Sequence, residues 1–423
     1  MIRKLMASAA IAAVAVLGAS AQTYVVEGKK VWTGTDAGTI ENGVVVIRNG
    51  TIMSVGPSTT TKPVGAEVIS AEWVTPGLIS AYSRTGIIEV DAEDSTNDAI
   101  AALSGFSASL DASDGFNPDD TAVDVSRLGG VTRVAVVPQP STNLFAGQGF
   151  IADTSGAQDT DMTPKAFTFI TLGEGGAGLA GGSRPAAWAQ LRAAFDDARA
   201  YPTRYIAGGE GDVLSRRDAE ALAPAARGRQ LILIDARSAT DLNAVMDLAE
   251  SNRNLKFAII GADEGWRVAD RLAELDIPVI VDGFANLPAS FSQLAATQEN
   301  AARLDEAGVQ VAIVNLDDST HLARLMTQIA GNAVANGMDW DDAMKALTVT
   351  PASIYGLSGY GILAPGAHAD VVAWDGDPLE VTTNTDAVFI DGEPQEMTSR
   401  QTELRDRYLS LDKTDRPYAY VKP

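Results

Sequence analysis

Two kinds of hydrophobic pattern divide the chain. Residues 24–72 carry short β-type runs, among them Tyr24-Val-Val, Lys30-Val-Trp, Val44-Val-Val-Ile and Thr51-Ile-Met-Ser-Val. Asn49-Gly50 between the last two is a two-residue hairpin signal. The C-terminal end returns to that character in Ala369-Asp-Val-Val-Ala-Trp and Ala387-Val-Phe-Ile, with a second turn at Asp391-Gly392. Between them, residues 73–357 alternate apolar strands with amphipathic helices. Strands are predicted at Gly77–Tyr82, Thr132–Val137, Ala166–Leu172, Gln230–Asp235, Leu255–Gly261, Pro278–Asp282 and Val309–Leu316, with an eighth around Gly149–Asp153. Helices are predicted at Trp188–Arg199, Asp241–Ser251, Gly265–Leu275 and Ser319–Asn336.

Buried strands alternating with helices predict a parallel sheet with crossovers, open or closed into a barrel. The expected α/β architecture is a (β/α)8 TIM-like barrel over 73–357. Residues 22–72 and 358–423 would join in a small β-sandwich domain built from both chain ends. In such a barrel the reactive groups gather at the C-terminal ends of the strands. Residues 86–130 break the pattern, with acids such as Asp91, Asp94, Asp111, Asp119 and Asp124 and few strand signals. They read as a solvated acidic insertion over the barrel mouth.

Composition adds an address and some exclusions. Met1-Ile-Arg-Lys-Leu precedes an alanine-rich apolar run through Leu17, and Ala19-Ser-Ala21 offers small residues before Gln22. This predicts a signal peptide over residues 1–21 and an exported, periplasmic protein with no membrane span. The chain has no cysteine, so disulfides and thiolate chemistry are excluded. Its net charge of −23 disfavours nucleic acid as a partner. No G-x-S-x-G nucleophile elbow occurs. Gly176-Ala-Gly-Leu-Ala-Gly181 fits G-x-G-x-x-G but not the strand-to-helix setting of a dinucleotide site, and reads as a flexible rim loop.

Val74-Thr-Pro-Gly-Leu-Ile-Ser-Ala-Tyr-Ser-Arg84, Gly129-Gly-Val-Thr-Arg-Val and Gly265-Trp-Arg-Val-Ala-Asp-Arg-Leu-Ala resemble the imidazolonepropionase-like amidohydrolases. So do Ala346-Leu-Thr-Val-Thr-Pro-Ala352, Gly361-Ile-Leu-Ala-Pro-Gly and Ala369-Asp-Val-Val-Ala-Trp-Asp-Gly-Asp-Pro378. The resemblance covers nearly the whole chain beyond the leader. It implies the same barrel and composite sheet domain, and hydrolysis of a carbon–nitrogen bond by water bound to zinc or another divalent metal.

The family's metal residues find poor counterparts. Its paired histidines fall on Tyr82 and Arg84, and the histidines ending its fifth and sixth strands fall on Asp235 and Asp263. Its catalytic aspartate falls on Leu316 or Asp317. The chain holds two histidines: His368, in a turn before the terminal strands, and His321, at the start of a helix near the rim. A guanidinium has no lone pair for a metal, so Arg84 speaks against a cation there, and the expectation is no metal cofactor. Asp235, Asp263 and Asp317 are expected to converge on Arg84 as a salt-bridge plug in a vestigial site. The alternatives are a site for a cationic ligand, or a hard metal held by oxygens alone. The function read from this is a degenerate pseudoenzyme, a non-catalytic partner of an active relative or a small-molecule binder. Homo-oligomerisation also suits it, and the alternative is a hydrolase with a rebuilt carboxylate site, Asp317 its catalytic residue.

Overall fold

Asn49 and Gly50 take φ of 53° and 74°, and Asp391 and Gly392 take 47° and 80°. Paired positive φ values make the type I′ turn that suits the twist of a β-hairpin, and both predicted turns reverse a strand. The computed structural model describes residues 22–316 and 320–409. The expected signal peptide, residues 1–21, therefore lies outside the described residues. The N-terminal strands are β1 (Thr23–Trp32), β2 (Thr39–Arg48), β3 (Thr51–Pro57) and β4 (Glu67–Pro76).

The chain continues through β5 (Leu78–Ser83), β6 (Val131–Val136), β7 (Phe145–Asp153), β8 (Met162–Thr171) and β9 (Leu231–Ala236). Then come β10 (Lys256–Gly261), β11 (Val279–Asp282), β12 (Val311–Val314), β13 (Val371–Trp374), β14 (Thr385–Ile390) and β15 (Glu393–Pro394). One sheet, in the order β15-β14-β13-β4-β1-β2-β3, draws on strands from both chain ends. Strand β4 carries it to Pro76, past the expected boundary at residue 72. A single residue, Gly77, then passes the chain into β5. A Cβ there would sit 2.2 Å from Thr132 Oγ1, so only glycine fits the junction.

The second sheet runs β5 to β12 in sequence order, and its two edge strands, β12 and β5, lie side by side, so that the barrel is nearly closed. It is not the expected ring of eight βα units. Strand β7 is antiparallel to both β6 and β8, while every other pairing is parallel. The connections 137–144 and 154–161 are too short for a crossover, which needs a dozen or more residues, so the chain must meander here.

The meander leaves the outer face of β7 without a helix, and the acidic insertion covers it. Ile87, Ile88, Ala99 and Ala108 join Phe145 and Phe150 in one core, and the Phe116 and Phe150 rings meet edge-on at 5.4 Å. The Gln148 amide donates to Ala108 O at 2.7 Å. The insertion is thus packed along β7 by apolar residues spaced among its acids, while Asp91, Glu93 and Asp94 stay exposed. Inside the barrel, Tyr82, Phe167, Phe169, Leu233, Ile260 and Ile280 fill the lumen. Tyr355 packs against this lumen core and donates to Ala81 O at 2.5 Å.

The predicted helices form with small shifts. They lie at Arg184–Ala200 and Ala239–Ser251, and the last becomes a 3-10 turn, His321–Leu325, running into Met326–Ala335. The third divides into a 3-10 turn, Gly265–Arg267, and a helix, Ala269–Glu274. Among the described residues no helix is long and apolar enough to cross a membrane.

Candidate functional site

Strand alternation decides which side chains reach the barrel mouth. Phe167 and Phe169 of β8 and Leu233 of β9 point into the lumen, so Thr171 and Asp235, two residues further on, also point inward. They are direct neighbours in the parallel register of β8 and β9. Tyr82 ends β5 on the same side, its ring 6.4 Å from that of Phe169. Asp263 follows β10 by two residues and is buried. Four of the predicted positions, Tyr82, Arg84, Asp235 and Asp263, thus gather at one end of the barrel.

Their pairing differs from the expectation. Arg84 forms no ion pair with Asp235 or Asp263, and its terminal nitrogen donates instead to the Tyr82 hydroxyl at 2.6 Å. Its Nε is buried without a partner among the described residues. The charge between the acids comes from Arg237, whose Nε lies 3.2 Å from Asp235 Oδ1 and whose Nη1 lies 3.4 Å from Asp263 Oδ2. The reason is positional: Arg237 follows Asp235 by two residues and shares its side of the strand. Gly261, at φ 91°, leaves room for it, since a Cβ there would come within 2.9 Å of Arg237 Cγ.

The cluster is electrostatically unfinished. Burial pushes the Asp235 carboxyl above its ordinary value, outweighing the opposing pull of Arg237. Asp263 is raised for the same first cause, against Arg237 and the Gln293 amide, which donates to Oδ2 at 3.1 Å. Burial also raises the Tyr82 phenol. For Arg237, burial works against the charge, but the two carboxylates prevail and hold its pKa above the usual value.

Asp235 and Arg237 face a cleft of about 240 Å³, shared with Glu174, Gln293, Ser290 and Ser292. Glu174 accepts the Ser292 backbone N–H at 3.0 Å, and Glu264 accepts that of Ala295 at 3.0 Å. These carboxylates, with Asp263, strap the loop after β11 across the rim. The G-x-G-x-x-G stretch is not the expected flexible loop. Its first glycines lie inside a helix, Gly173–Leu179, where they cannot open a phosphate-binding turn.

The remaining predicted residues stand apart. Asp317 lies outside the described residues. Leu316, the other position matched to the family's aspartate, donates its backbone N–H to Asp282 at 3.1 Å. His321 is exposed, with Nδ1 3.2 Å from Thr320 Oγ1. His368 stacks on Tyr360 at 4.0 Å and faces Asp391 at 3.2 Å, beside the seven-stranded terminal sheet and away from the barrel mouth. Sequence reading missed Arg237, Glu174, Gln293 and Thr171. Arg237 carried a signal, its two-residue spacing from Asp235, whereas Gln293 arrives from a loop 30 residues beyond Asp263.

The divalent metal implied by the resemblance does not fit these residues. A guanidinium already lies between the two acids that match metal-binding positions, and a second occupies Arg84. Among the described residues no three histidine, aspartate or glutamate side chains come together as a metal ion would require.

Residues 245–395 match the model of the Amidohydrolase family. The chain is 25% identical over 383 residues to an imidazolonepropionase of Rhizorhabdus wittichii, covering 81% of this chain and 90% of that protein. An amidohydrolase structure from Thermotoga maritima superposes with a TM-score of 0.77 at 26% identity, over 88% of this chain and 99% of the other. Molinate hydrolase shares the fold at a TM-score of 0.55 and 18% identity, over 95% of this chain and 99% of its own.

Proposed function

The chain belongs to the amidohydrolase superfamily, and on that premise we propose that it is a member whose metal centre has been exchanged for an internal ion-pair cluster. It acts as a small-molecule binder, or as the non-catalytic partner of an active relative or of a second copy of itself. The observation that carries this reading is Arg237 held between Asp235 and Asp263. A tethered guanidinium supplies the positive charge that two inward carboxylates otherwise demand of a cation. The leader-like N-terminus adds the proposal that the protein works outside the cytoplasm. The seven-stranded sheet is taken as the small β-sandwich domain of the family.

A second reading has an observation of its own. Asp235 keeps an oxygen outside the Arg237 pair, and burial raises its pKa, the direction that makes a carboxylate a stronger general base. Such a protein would hydrolyse amides, cyclic amides or dipeptides with Asp235 taking a proton from water. Turnover of a panel of cyclic amides and dipeptides decides between the two. The binder reading predicts no turnover above that of Asp235→Asn. Turnover that Asp235→Asn abolishes would establish the hydrolase instead.

A further inference from the structure

Resting on the reading that the protein partners a second copy of itself, we propose that the loop after β11, residues 283–294, is the surface on which two copies meet. The loop is apolar where a loop is ordinarily polar. Phe284, Leu287, Phe291 and Leu294 are 46%, 79%, 83% and 65% exposed. Large hydrophobic side chains scattered singly over a surface need no explanation, whereas four on one loop mark an interaction site.

The backbone of the loop is held while those side chains are not. The Phe284 N–H donates to Asp282 at 2.8 Å, and Asn332 donates to Gly283 O at 2.7 Å. At the far end Glu174, Asp263 and Glu264 accept from Ser292, Gln293 and Ala295, and the Trp266 indole donates to Ala295 O at 2.9 Å. A loop free to move could fold its apolar side chains onto the barrel. This one is tied at both ends with Phe291 and Leu294 turned outward, so covering them carries little of the ordering cost of a mobile loop.

Charge selects the partner. In a contact between identical copies related by a two-fold axis, each surface meets itself. For a chain of net charge −23, most surfaces so paired set carboxylates against carboxylates. Residues 283–298 carry no charged side chain, although 21% of the chain is charged. An uncharged patch is self-complementary without needing cations, and interface cores are depleted of charge in the same way. Asn286, exposed on this loop, holds both donors and an acceptor and can pair with its counterpart. A basic partner would find no counter-charge here, and anionic lipid is repelled by the chain as a whole. Exposed to this degree, the four side chains offer on the order of 500 Å² per copy. A two-fold contact then closes on the order of 1,000 Å², the threshold of a specific interface. Ser290, Ser292 and Gln293 of the same loop line the mouth cleft, so the contact sets each copy beside the other's mouth.

Analytical ultracentrifugation of the mature chain over a range of concentrations tests this. A monomer–dimer equilibrium is expected. It should tighten as salt screens the like charge of the two copies, where a charge-paired interface would loosen. Phe291→Asp and Leu287→Asp should each weaken the dimer at least tenfold, since the two-fold axis introduces each carboxylate twice. Both residues are exposed, so the variants should keep the denaturant midpoint of the unmodified protein. Leu103→Asp, at a leucine fully open to water on the insertion, should leave the dimer unchanged and so separates this loop from general apolar adhesion. A dimer indifferent to both loop variants would overturn this surface and leave the self-partner reading standing. A monomer at every concentration would overturn both. A monomer that binds phosphatidylcholine vesicles, and loses them with Phe291→Asp, would overturn the proposal in favour of a lipid surface.

Discussion

Arg133 and Arg237 each sit among aspartates, and the contrast between them separates a structural joint from a candidate site. Arg133, on β6, reaches Asp370 at 3.0 Å, Asp161 at 2.9 Å and Asp391 at 2.5 Å, with its guanidinium 4.5 Å from the Tyr360 ring centre. Its side chain is 4% exposed, and all three nitrogens donate to carboxylates. Burial alone would lower its pKa, but Asp370 and Asp391 outweigh burial and raise it. Arg237 makes longer contacts, is 33% exposed, and leaves an oxygen of Asp235 unclaimed beside an open cleft. Where every nitrogen of the guanidinium is paired, the cluster ties the barrel to the terminal sheet. Where pairing stops short, acceptors and charge remain for something else to meet.

Substitutions at the two places should differ in size and in pH dependence. Arg133→Met strands buried Asp370 beside two more carboxylates, and should lower the unfolding free energy by about 3–5 kcal/mol. A denaturant midpoint close to that of the unmodified protein would show that the joint is not held by this charge. Arg237→Met should cost less, about 2 kcal/mol at neutral pH, because a third of the side chain already meets water.

The pH dependence of that second loss follows from the direction of the shifts. Asp235 and Asp263 have folded-state pKa values above the ordinary 3.8, so the folded protein binds their protons more tightly than the unfolded chain. Their contribution to stability is present below about that value and fades as pH rises through the raised folded values. Removing Arg237 takes away the opposing pull and raises both further. The deficit of Arg237→Met should therefore be largest at pH 7 and shrink on mild acidification. Denaturation curves at both pH values check this, and a deficit that grows in acid would contradict it.

Arg84→Ala should have the smallest effect, about 1 kcal/mol, from one lost hydrogen bond to Tyr82. Combined with Asp263→Asn it should be additive within about 0.5 kcal/mol, whereas Arg237→Met with Asp263→Asn should not be. Strong coupling of Arg84 to Asp263 would reverse the assignment of the two arginines.

Local signals carried most of the architecture. The turns at Asn49-Gly50 and Asp391-Gly392 and the apolar strand runs depend on neighbouring residues, and they are found where the sequence puts them. Strand direction is a different matter. All of β7 is buried, so its apolar run looks the same in either orientation, and only the short connections on both sides betray the meander. The insertion misleads because its acids outnumber Ile87, Ile88 and Phe116, which do the packing. At the mouth, the positions on strand ends were legible from the resemblance. Their pairing was not, because it depends on the side chain two residues past Asp235 and on a loop arriving from a distant part of the chain.

If Arg237 stands where a metal would otherwise serve, the protein should not retain one even when metals are plentiful. Elemental analysis of the mature protein, expressed with zinc, iron and manganese supplied and then dialysed, reads this out without recourse to activity. Far less than one transition-metal equivalent per chain is expected. One equivalent that survives dialysis would contradict the exchange, since two carboxylates bridged by a guanidinium have no place for that ion.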